Sequence, residues 1–186
     1  MFKAHRKTPI EFLHLETGTM PIRFIVASRR VNYLHTILSR EKSELTQRVY
    51  QAQKSKPSKG DWVNIVRKDC DDLLIIFDET LITSMSKNKF KSFVKKQVQN
   101  AAFSYLRNLQ NAHSKVKNIE YEKLAPQEYI KSTLFQNEDI ETIFSLRSQM
   151  ITVKGNFSGM YTEENLKCSF GCQTKETQPH LLDYKC

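Results

Sequence analysis

Glycine is scarce in this 186-residue chain: five residues, at positions 18, 60, 155, 159 and 171, against an average usage near 7%. None stands in a G-x-G-x-x-G or G-x-x-x-x-G-K context, so phosphate-cradling loops of those kinds are excluded. Long apolar runs are also missing. The longest is Leu73 to Phe77, far short of the roughly 20 residues that cross a bilayer. The opening residues MFKAHRKTPIEF hold no apolar stretch, which predicts no secretory signal and an intracellular protein, cytoplasmic or nuclear, with no membrane partner. Acidic residues are outnumbered, 20 Asp and Glu against 29 Lys and Arg, giving +9 at pH 7. That balance points to a polyanionic partner.

The positive charge is unevenly placed. Residues 1–60 hold twelve basic and four acidic side chains, +8, and the remainder carries +1. A basic segment followed by a nearly neutral scaffold is the expected pattern for a chain whose first third meets phosphate. A merely solvated helix surface gives the same composition.

Hydrophobic periodicity is helical nearly throughout. From Pro21, the apolar residues Ile22, Ile25, Val26, Leu34, Ile37 and Leu38 recur at three- and four-residue steps, with Arg23, Arg30 and Arg40 outward. This predicts a helix of about 18 residues. Ser43 is placed to cap a second helix carrying Leu45, Val49 and Ala52. Residues 54–61, KSKPSKGD, read as a loop, and Asp61 as the cap of a third helix with Trp62, Ile65, Val66, Cys70 and Leu73 inward. The longest helix is expected to open at Ser84 or Ser86 and to end near His113. Lys87, Lys91 and Lys95 recur along it at every fourth residue, forming a ridge that meets phosphates or simply faces solvent. Short helices near 126–131 and after Asn137 complete an all-α, irregular multi-helix bundle. The expected division is a lead-in segment at 1–20, a helical domain at 21–154 and a small tail at 155–186.

The tail carries three of the four cysteines. Cys168, Cys172, His180 and Cys186 form a C-x3-C-x7-H-x5-C arrangement, and clustered thiols in a reducing compartment read as metal ligands before they read as disulfides. Three thiolates and an imidazole make a closed tetrahedral site for structural zinc, with Gly171 easing the turn between the first two. So short a segment buries too little apolar surface to fold alone, so metal binding supplies folding energy. Cys70, at an inward helical position, reads as a small buried hydrophobe. His5, His14, His35 and His113 are scattered and define no nucleophile–base pair.

Residues 15–40, LETGTMPIRFIVASRRVNYLHTILSR, resemble the stretch just after the catalytic palm in the reverse transcriptase polyproteins of non-long-terminal-repeat retrotransposons. There an E-x-G-x-x-P-[IL]-R segment opens a basic helix, and Glu16, Gly18, Pro21, Ile22, Arg23, Arg29, Arg30 and Leu34 stand at matching places. KGDWVNIVRKD (59–69), HSKVKNIEYEKL (113–124), IFSLRSQM (143–150) and the CSFGCQTKETQPHLL ending are similar to later parts of the same region. The resemblance implies a helical thumb and connector that grips template–primer duplex, RNA or DNA, with low sequence specificity, followed by a zinc knuckle.

Its residue-level expectation is phosphate contact by Arg23, Arg29, Arg30, Lys54, Lys56, Lys59, Lys87, Lys91 and Lys95. The string from Cys70 to Ile76, CDDLLII, is similar to the YxDD hairpin of polymerases, whose carboxylates hold metal ions. Asp69 stands where the aromatic belongs, the 69 residues before the string are too few for fingers and palm, and the flanking periodicity is helical. The expectation is therefore a non-catalytic fragment, with Asp69, Asp71 and Asp72 as solvent-facing acids. The alternatives are a helical protein-interaction scaffold with a zinc-stabilised tail, or an inert retroelement remnant.

Overall fold

The computed structural model describes residues 8–151, 153–160 and 162–182. In chain order its helices are α1 (Ile10–Thr17), α2 (Ile22–Leu38), α3 (Leu45–Ser55), α4 (Trp62–Asp72), α5 (Glu79–Ser84), α6 (Lys87–Gln110), α7 (Glu128–Lys131), α8 (Asn137–Arg147) and α9 (Gln178–Leu182). Short 3-10 turns occupy Lys154–Met160 and Glu164–Leu166. Among the described residues no strand forms, and the bridges Thr17–Pro126 and Lys167–Lys175 are isolated. The all-α expectation holds. No described helix is long and apolar enough to cross a membrane.

The chain divides into two compact units that are not consecutive thirds. One joins Met1–Gly18 to Arg107–Cys186; the other is Thr19–Leu106. The sequence-based division at 20 and 154 treated each part as a continuous stretch, because pairings between residues more than a hundred positions apart leave no periodic trace.

In the Thr19–Leu106 unit, α2 buries Phe24, Ala27, Val31, Leu34 and Ile37, a helical stripe displaced from the expected one. Ile22 and Val26 lie at the surface instead. Much of this helix's circumference is apolar, so periodicity alone fixed its helicity but not which side packs inward. α4 buries Val63, Val66, Cys70 and Leu73, and α6 buries Phe90, Val94, Val98, Ala102 and Leu106. Burial pushes the Cys70 thiol up to about 12, in keeping with its role as a packed hydrophobe. His35, also buried, stacks on Phe90 with ring centroids 5.0 Å apart and sets its Nε2 2.9 Å from the Met85 carbonyl.

Two polar links run across this unit. Arg30 donates from Nε and Nη2 to the Asp69 carboxylate at 2.5 and 2.7 Å, and Asp69 is buried. The bonds to Asp69 outweigh burial and raise the Arg30 pKa. Asp69 is therefore an internal partner and not a solvent-facing acid, while Asp71 and Asp72 are exposed at the end of α4. The second link is Glu79, which accepts from Tyr50 at 2.5 Å and pairs with Lys54 at 2.6 Å.

In the other unit, α1 supplies Phe12 and Leu15 to a core with Val116, Tyr121, Phe144, Val153 and Leu166. The Phe12 and Phe144 rings lie 5.3 Å apart. Glu16, with no exposed surface, is the polar hub. Arg147 donates to both its carboxylate oxygens at 2.8 to 3.1 Å, Tyr129 donates at 2.5 Å, and Tyr121 donates as well. Burial, followed by the bond to Glu16, drives both phenol pKa values far above normal. Burial works against the Arg147 charge, but the Glu16 bonds outweigh it and raise its pKa. A buried carboxylate is tolerated only with such full satisfaction.

Gly18 ends α1 in the left-handed conformation, φ 65°. A Cβ there would stand 2.3 Å from the Pro126 nitrogen, so only glycine permits this approach. The Glu16 and Gly18 of the E-x-G-x-x-P run thus form a joint between α1 and the segment before α7. Gln110 is wholly buried and donates to the carbonyls of Val116 and Ile119, pinning the loop after α6.

Candidate metal centre and basic groove

The tail builds a tight knuckle. Lys167 bridges Lys175, the Cys168 amide donates to Thr174 O at 3.0 Å, and the Glu176 amide to Leu166 O at 2.9 Å. Between them the Gly171 amide donates to Cys168 O at 3.1 Å, with Gly171 at φ 91°. That turn brings Cys168 and Cys172 to one side, and α9 adds His180. The ligand atoms of the three residues lie within 4.8 Å of one another. Cys172 Sγ is 2.9 Å from His180 Nε2, and Thr174 Oγ1 is 3.2 Å from the same sulfur. The Phe170 amide points at Cys168 Sγ, 3.4 Å away. Two thiols and an imidazole so gathered can hold a metal ion. Cys186, the fourth expected ligand, lies outside the described residues.

A buried carboxylate braces the knuckle from behind. Glu176 accepts from the Ser169 hydroxyl and amide at 2.5 and 3.0 Å and from the Lys154 amide at 3.2 Å. These bonds, the Ser169 hydroxyl foremost, hold its pKa down to about 2. A depressed carboxylate pKa stabilises the fold fully above its ordinary value, 4.5, and the contribution fades as pH falls toward about 2. Glu176→Gln is therefore expected to lower thermal stability at neutral pH, and its deficit against the parent chain shrinks on acidification. Parallel melts across pH read both.

The basic residues expected to meet phosphate all fall in the Thr19–Leu106 unit. It carries sixteen Lys and Arg against eight Asp and Glu, +8, whereas the other unit carries thirteen against twelve, +1. The charge asymmetry seen along the sequence is thus a property of one compact body.

Within it the candidates part into two groups. Arg30 and Lys54 already face Asp69 and Glu79, and Arg23 lies over the Tyr105 ring, 3.8 Å from its centroid. Lys56 and Lys59 stand exposed in the loop after α3. Arg29, Lys87, Lys91 and Lys95 are exposed and take part in none of the ion pairs among the described residues. Three of these converge: Arg29 from α2 and Lys87 and Lys91 from α6 line a groove of about 360 Å³ with Asn32, Tyr33 and Thr36. Sequence reading identified the cations but not their meeting. It missed Asn32, Tyr33 and Thr36, which carry no signal beyond their spacing on the outer side of α2.

No protein-family model, curated protein or solved structure matches this chain.

Proposed function

We propose that the chain is a non-catalytic nucleic-acid-binding fragment, of the kind implied by its resemblance to the thumb, connector and zinc knuckle of a retrotransposon reverse transcriptase. The observation that carries the reading is the groove where Arg29 meets Lys87 and Lys91 on the body that holds +8 of the net charge. Three converging cations suit the phosphates of an RNA or DNA duplex and read no base sequence. Placing Asp71 and Asp72 on a helix end, with Asp69 engaged by Arg30, supports a role without catalysis.

Structural zinc fits the tail. Tetrahedral zinc with bonds of about 2.3 Å to sulfur and 2.0 Å to nitrogen sets its ligand atoms roughly 3.5 to 3.8 Å apart, and the 4.8 Å cluster needs only small side-chain shifts to meet that. Cys168, Cys172 and His180 would hold the ion, with Cys186 the sequence's fourth donor. Bound zinc supplies folding energy to the tail.

The test is the triple variant Arg29→Ala, Lys87→Ala, Lys91→Ala, measured by anisotropy against a labelled primer–template duplex. Affinity is expected to fall and the log–log salt slope to flatten by about 2.7, at 0.9 per phosphate neutralised. Unchanged affinity overturns the proposal. A second reading, a helical protein-interaction scaffold, draws on Leu74 and Ile76, which leave 82% and 71% of their surface exposed beside α4. It predicts that the triple variant behaves as the parent chain does.

A further inference from the structure

The basic groove does not end at its cations. Tyr33, on its rim, is also a wall of a second groove of about 290 Å³, lined by Ile37, Leu45, Val49 and Trp62 with Thr46 and Gln53 at hand. Tyr33 and Trp62 meet edge to face, ring centroids 5.9 Å apart and planes at 84°, making a right-angled aromatic corner. Leu45 and Val49 belong to the apolar stripe of α3, yet they leave 73% and 48% of their surface uncovered. The volume lies at the small end of the ~300–1,000 Å³ typical of ligand sites, enough for one flat heterocycle.

Charge complementarity decides what fits. An apolar peptide would satisfy the aromatic corner and leave Arg29, Lys87 and Lys91 without a counterpart. A duplex would satisfy the cations but keep its bases stacked inside, away from Tyr33. A single-stranded chain offers both chemistries one nucleotide apart, a phosphate and an unstacked base with a π-face.

We propose that the two grooves form one subsite for an unpaired nucleotide, its phosphate held by Arg29, Lys87 and Lys91 and its base laid against Tyr33 and Trp62. This rests on the nucleic-acid reading of the same unit and adds to it a preference for single-stranded segments. Thr46 Oγ1 and Gln53 Oε1 already accept from Arg40 and from the Val63 amide, so stacking, not hydrogen-bond readout, dominates and every base is accepted.

The experiment uses the full chain, in which Trp62 is the only tryptophan. Its fluorescence is followed while an oligothymidine strand, or a blunt duplex of equal length, is added, with anisotropy of labelled strands in parallel. The single strand is expected to bind and quench Trp62, and the duplex to bind with Trp62 unchanged. Tyr33→Ala weakens single-strand binding about tenfold, while Tyr33→Phe retains it. Leu45→Glu, at a position too exposed to affect folding, selectively weakens the single strand as well. Single-strand binding that leaves Trp62 unmoved and ignores Tyr33→Ala and Leu45→Glu overturns the subsite but leaves duplex binding standing. An apolar peptide that quenches Trp62 while the oligonucleotide does not overturns it in favour of a protein partner. Failure of both nucleic acids to bind removes the underlying reading too.

Discussion

Glu16→Ala is expected to destabilise the unit formed by Met1–Gly18 and Arg107–Cys186 by about 3 kcal/mol. The loss has three parts: the bidentate Arg147 pair, the two tyrosine bonds and the cavity left where a wholly buried side chain stood. Breaking a buried pair by removing one partner costs about 3 to 5 kcal/mol, because the other charge is left uncompensated. The low end applies because Arg147 keeps a third of its side chain in contact with solvent. Urea unfolding followed by far-UV circular dichroism measures it. Glu16→Gln is expected to fall between the two, since an amide oxygen still accepts from a tyrosine but cannot neutralise Arg147. A change below about 1 kcal/mol for the alanine variant, the scale of a surface ion pair, would mean that the hub is not what joins α1 to the later helices.

The second large effect concerns the tail. Purified chain is expected to contain one equivalent of metal, lost together with its ordering in Cys168→Ser or Cys172→Ser and on treatment with a strong chelator. Structural zinc contributes roughly 10 to 16 kcal/mol of apparent folding free energy in small zinc-dependent peptides, so its removal outweighs any hydrogen bond within the knuckle. Hydrogen exchange gives the cleanest readout. The amides of Cys168, Gly171 and Glu176, which close the knuckle, should lose protection on chelation, while those within α6 keep theirs. A metal-free chain with these amides already protected would show that the Glu176 bonds and the 167–175 bridge suffice without an ion.

The sequence made part of this legible and left part hidden, for physical reasons. The long helices were readable because their apolar residues repeat at the helical period: α2 and α6 start and end within a few residues of the expected positions. The cysteine pair and His180 were readable as a group that could hold a metal ion because thiol and imidazole side chains are chemically distinctive and stand close in sequence here. α1 was not foreseen; eight residues are too few for periodicity to speak, and its burial depends on Tyr121, Tyr129 and Arg147, between 105 and 131 residues away. Asp69 looked like a surface acid for the same reason, since nothing local announces Arg30 as its partner. Ser43 was expected to cap α3, but the helix begins at Leu45 with Glu44 before it, and Ser43 instead reaches Glu41. The groove joining Arg29 to Lys87 and Lys91 exists only after α6 has packed beside α2. Basic residues could be counted along the chain, but which of them converge and which are already paired is a tertiary fact.

The central claim is that the basic unit grips nucleic acid through its phosphates, and the salt dependence of binding tests it most directly. Affinity of the full chain for a primer–template duplex, measured from low to high monovalent salt, is expected to fall along a straight log–log line. Its slope should be about −2.7 or steeper, since Arg29, Lys87 and Lys91 together neutralise three phosphates at 0.9 each. An affinity that does not change with salt would contradict the account.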